Sequence, residues 1–186
     1  MKNLDEALVS DRVVLSVMGA HAGEGVDAIF SRKIADVSTC GETFWVYGSP
    51  ASRPDRAQAV GCEYVLFLAP VVKNGARPTT EADAASMFSV DKKIWQPLPA
   101  SLSPVTGKLR RGGYALSLSS LSLCTDGQVD LWQYAHAEEP VRFRLGASTL
   151  PVHRQDTSTN PARAVSRFRR VLAVGKLGDP CAVWVR

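Results

Sequence analysis

Apolar and polar positions divide the chain into two textures. In the first, "RVVLSVM" (12–18) is an almost uninterrupted apolar run, which predicts a strand covered on both faces. Residues 26–37, "VDAIFSRKIADV", place Val26, Ile29, Phe30, Ile34 and Val37 on one helical face. Asp27, Ser31, Lys33 and Asp36 lie away from that face, so the stretch predicts an amphipathic helix. "TFWVYG" (43–48) and "YVLFLAP" (64–70) predict two further strands, with a short helix in "RPDRAQAV" between them, opened by Pro54. Residues 3–9 suit a short leading helix. Residues 12–70 therefore read β-α-β-α-β, an alternation that favours three neighbouring strands in a parallel core.

The second texture is strand-rich. "VVKNGARPTTEADAASMF" (71–88) reads as a loop leading into a helix, capped by Thr79 or Thr80. The three prolines and terminal glycines of 93–113 imply irregular chain. In "YALSLSSLSL", Tyr114, Leu116 and Leu118 alternate with small residues, then the phase slips to Leu121 and Leu123, the signature of a bulge. "TDGQ" reads as a turn before a strand in "VDLWQYAH". "VRFRLG" alternates apolar and cationic positions, and "NPARAVSRFRR" (160–170) reads as a helix with Asn160 as cap and Pro161 at its first position. "VLAVGKL" and "CAVWV" predict the last strands, turned by "GDP". The expected fold is α/β shading into α+β: one domain over 1–186, with the βαβαβ unit continued by strands in one mixed, curved sheet or partial barrel.

Composition narrows the class. At 186 residues with 45% hydrophobic content, the chain can bury a core and is not a disordered tail. No run approaches the roughly 18–20 apolar residues of a membrane span. Acids stand in "MKNLDEALVSDR" where a signal peptide has its apolar run, so the expectation is a soluble, cytoplasmic protein. Cys40, Cys62, Cys124 and Cys181 are far apart and form no C-x-x-C pair, so they read as reduced thiols rather than a zinc or redox motif.

Charge changes the picture more. From Pro140 onward nine basic residues meet two acids, a net of +7, while residues 1–139 carry 13 basic and 16 acidic residues, a net of −3. Such asymmetry points to a polyanionic partner or to acids of the first part folding back onto the basic end. Arg142, Arg144, Arg167, Arg169 and Arg170 are the arginines expected to meet phosphates. Aromatic residues in "FWVYG", "DLWQYAH" and "SRFRR" add the partner that base stacking with phosphate contact requires.

Other candidate chemistry clusters in loops. In "GAHAGEG", Gly19, Gly23 and Gly25 lack dinucleotide-fingerprint spacing, and Glu24 would repel an anion at the helix start. "TGKL" lacks the Ser or Thr of a P-loop. His21, Glu24 and Asp27 instead suit a general base oriented by carboxylates, or ligands for a divalent cation, at the carboxyl end of the first strand. After the third strand, Lys73, Asn74, Arg77, Thr79 and Thr80 suit an anionic ligand, and Lys108 belongs to a similar polar loop. No G-x-S-x-G elbow is present.

These residues support three readings. The first is a protein binding nucleic acid or another phosphate-rich ligand through its C-terminal arginines. The second is a hydrolase or transferase on a nucleotide-like ligand at the 19–27 and 73–80 loops. The third is an accessory subunit docking an acidic protein. No motif specifies a cofactor.

Overall fold

The computed structural model describes residues 2–18, 25–47, 56–70, 87–97, 113–136, 139–140, 149–155 and 167–185. Its elements in chain order are α1 (Lys2–Val9), β1 (Arg12–Val17), α2 (Val26–Cys40), β2 (Thr43–Tyr47), α3 (Arg56–Ala59), β3 (Tyr64–Leu68), β4 (Met87–Ser89), β5 (Gln96–Pro97), β6 (Gly113–Asp130), β7 (Tyr134–His136), β8 (Glu139–Pro140), β9 (Thr149–Arg154) and β10 (Phe168–Val185), with a 3-10 turn over Leu131–Gln133. The strands form a mixed sheet in the order β2-β6-β10-β3-β1-β9-β7-β8, with β4 on β10 and β5 on β4. This is the mixed α+β fold with a strand-rich C-terminal half that the pattern implies.

The chain divides into two compact units, and β6 and β10 each contribute to both. The first comprises Met1–Gly19, Pro54–Asn74 and Ser122–Lys176. Here β1 pairs in parallel with β3, from Val13 opposite Tyr64 to Val17 opposite Leu68. β9 pairs antiparallel on the other side of β1, and β10 antiparallel on β3. Val13, Leu15 and Val17, alternate residues of β1, join Leu66, Leu68, Leu131, Tyr134 and Val171 in one core. Each large apolar side chain buried there contributes about 1.5–3 kcal/mol. Leu4 and Leu8 of α1 pack against it, and the Tyr64 hydroxyl donates to Glu6 at 2.9 Å.

The second unit comprises Ala20–Arg53, Gly75–Leu121 and Leu177–Arg186. β2 lies antiparallel to β6, from Thr43 opposite Leu118 to Tyr47 opposite Tyr114, and β4 pairs with the end of β10. Phe44, Ala115, Val183 and Val185 form its core, with the Phe88 ring tilted 58° against Phe44 at 5.4 Å between ring centres. Gly41 closes α2 at φ 80°, donating its N–H to the Val37 carbonyl, a left-handed position that favours glycine. Ile29 and Phe30 are buried as expected, whereas Ile34 is only partly covered. Lys33, expected on the solvent side, is buried, donating to the Phe44 carbonyl at 2.6 Å and pairing with Asp36 at 3.7 Å.

Five further expectations need correction. The three strands of 12–70 are not neighbours: β1 and β3 pair, while β2 finds its ladder partner in β6, Thr43 opposite Leu118 to Tyr47 opposite Tyr114. "TDGQ" is not a turn but part of continuous β6. A side chain at Gly127 would put Cβ 2.7 Å from Leu4 and 3.3 Å from Val171, so the glycine marks a close approach. "GDP" likewise lies within continuous β10, where a Cβ at Gly178 would meet the Ser117 hydroxyl at 2.7 Å. Met87 and Phe88 are in β4 rather than a helix, because they pair with β5 and β10. Phe168–Arg170 open β10 rather than end a helix, and the Arg170 carbonyl accepts from the Ala69 N–H just past β3. Leu116, Leu118 and Leu121 are buried, and Leu123 is 57% exposed.

Candidate anion-binding site

Parallel β1 and β3 end on the same edge of the first unit. The antiparallel strands β9 and β10 begin there. Ligands of open α/β sheets bind at such carboxyl-terminal edges. The Met18 N–H donates to the Leu68 carbonyl at 2.8 Å, and the Ala69 N–H donates to the Arg170 carbonyl at 2.9 Å, tying the ends together. Beside them, the hydroxyls of Ser16 and Thr149 share a buried hydrogen bond of 3.0 Å.

The start of β10 alternates as a strand does. Phe168 is 52% exposed, Arg169 only 7%, Arg170 is exposed and Val171 is fully buried. Period two thus sends Phe168 and Arg170 to one face and Arg169 to the other.

Each arginine has a different environment. Arg167 donates from Nε and Nη2 to one oxygen of Asp130, at 3.1 and 2.9 Å. Its guanidinium also lies 5.0 Å from the Trp132 ring centre and 4.9 Å from that of Phe168. Asp130 is therefore an acid of the first part folded back onto the basic end. Arg170 makes one long contact, 3.5 Å from Nη2 to the Thr125 carbonyl. Arg169 donates from Nη1 to the Ala69 carbonyl at 3.0 Å, while its Nε is buried without a hydrogen-bond partner. Among the described residues no carboxylate pairs with Arg169 or Arg170. Burial lowers the pKa of Arg169 from its ordinary value. A guanidinium taken out of water is costly unless a counter-charge meets it.

Asp27 is exposed in the first turn of α2, where a carboxylate complements the helix dipole. His21, Glu24, Lys73, Asn74, Arg77, Thr79, Thr80, Lys108, Arg142 and Arg144 lie outside the described residues. Among the described residues no three His, Cys, Asp or Glu side chains come together as a metal site, and none of the four cysteines is in a disulfide. No helix among them is long and apolar enough to cross a membrane.

Sequence reasoning named the arginines but missed Asp130 and Ala69, to which nothing local pointed. Comparison with protein-family models, curated proteins and solved structures returned no match for this chain.

Proposed function

We propose that this chain binds a phosphate-bearing ligand, a nucleic acid or nucleotide, at the start of β10. The observation that carries the reading is the Arg169–Arg170 pair at the edge where parallel β1 and β3 end, with no carboxylate partner among the described residues. Phe168 and Arg170 share a face, which sets aromatic surface beside a cation, the combination used for base stacking with phosphate contact. Arg167 supports that strip from the side, its charge balanced by Asp130 and its plane set against Phe168 and Trp132. A strip of this kind supplies charge and stacking without reading base edges, so the expected binding is tolerant of sequence.

The direct experiment titrates labelled single- and double-stranded DNA and RNA at low salt and follows fluorescence anisotropy. Binding to at least one of the four, weakened similarly for all sequences by Arg170→Ala, is the expected result. A folded protein that binds none of them, nor a mononucleotide, contradicts the reading.

A further inference from the structure

We infer that Arg169 is the seat of a terminal phosphate monoester, the phosphorylated end of a strand or the phosphate of a mononucleotide, distinct from the surface strip of Phe168 and Arg170. The inference rests on the proposed phosphate-bearing ligand and assigns the part of it that Arg169 holds.

The argument starts from strand geometry. Successive side chains of β10 point to opposite faces, so Arg169 does not extend the exposed strip and needs an anion of its own. Its guanidinium has five N–H donors in a planar fork. Nη1 is taken by the Ala69 carbonyl. The remaining Nε–Nη2 edge is the one that grips two oxygens of a phosphate in parallel, and the buried Nε on that edge has no partner. A structural arginine of this burial ordinarily meets a carboxylate, and among the described residues none reaches it. The groups placed around it are the Ala69 carbonyl, which accepts from Nη1, and the buried Val171 side chain two residues along the same face.

Burial also selects the kind of phosphate. An internal phosphodiester carries a sugar on each side and stays on the surface, where Arg170 is. A terminal monoester presents three bare oxygens and up to two negative charges on one narrow group. Only that form matches a cation that is 7% exposed.

The test compares one oligonucleotide with a 5′-phosphate, a 3′-phosphate or hydroxyls at both ends, labelled internally. The expected result is at least about tenfold tighter binding of a phosphorylated end, the scale of a charge-assisted bidentate contact. Arg169→Gln should erase that preference, while Arg170→Ala weakens all three strands and keeps it. Equal affinity for all three ends overturns the inference and leaves the surface reading standing. Absence of binding by any strand, nucleoside monophosphate or inorganic phosphate overturns both. Binding of a nucleoside monophosphate but not its nucleoside, without strand binding, supports the seat and identifies a mononucleotide as its source. Thermal protection by acetate equal to that by inorganic phosphate overturns the phosphate assignment. If Arg169→Gln does not fold, the comparison of ends on the unaltered protein decides the question alone.

Discussion

Arg167 places Nε and Nη2 on a single carboxylate oxygen of Asp130, and the other oxygen accepts the Trp132 N–H at 3.1 Å. One carboxylate therefore caps the 3-10 turn after β6 and neutralises the first arginine before β10. Asp130→Ala removes both functions and should cost about 1–3 kcal/mol, measured as a lower urea midpoint at unchanged slope. An unchanged midpoint would show that the pair is only a surface contact.

Two tyrosines should respond in opposite senses to loss of the same hydroxyl. Tyr64→Phe loses the bond to Glu6 and should destabilise by about 1 kcal/mol. The Tyr134 hydroxyl is buried without a partner, so Tyr134→Phe should be neutral or stabilising by up to about 1 kcal/mol. Thermal melts of both variants check the sign of each.

The same tyrosines set an alkaline limit. The Tyr64 pKa is raised from 10.0 by its hydrogen bond to Glu6 and then by burial, and that of Tyr134 is raised by burial above all. Above pH 10.0 the unfolded chain releases these protons first. Their contribution is thus present in full below that pH and is lost as pH rises through the folded values. Melting temperature should fall as pH rises above 10.0, and less steeply in each phenylalanine variant.

Close packing at Gly127 gives a contrast with Gly25. Gly127→Ala sets Cβ against Val171 and Cys124 at 3.3 Å and against Leu4 at 2.7 Å, and should cost about 1–3 kcal/mol. Gly25, the N-cap of α2, has nothing within 4 Å of such a Cβ and no side-chain cap, so Gly25→Asp should be tolerated or slightly stabilising. Denaturant titration of the two variants distinguishes them.

These contacts explain what was legible in the sequence. Local periodicity located α1, β1, α2, β2, α3 and β3 within a few residues, because burial on one face leaves its period in the chain. Partners were not legible: nothing in "TFWVY" says that it pairs with 114–118 rather than with β1. Gly127 and Gly178 carry the signature of a turn, because a glycine beside polar residues has the same composition whether it bends the chain or admits a neighbour. Lys33 looked exposed by position and is held by a carbonyl of β2 that no helical wheel includes. At the candidate site the arginines were legible as charge. Their division into balanced, buried and exposed members was not, because "FRRV" is too short for its period to separate strand from helix.

The salt dependence of binding tests the phosphate reading most directly. The dissociation constant of a labelled single strand, measured at several salt concentrations, should rise with a log–log slope of about 0.7 per phosphate contacted, as condensed counterions are released. Arg170→Ala should lower that slope by about 0.7, one phosphate contact, and weaken every sequence alike. A slope near zero, or one that Arg170→Ala leaves unchanged, would contradict phosphate binding at the start of β10.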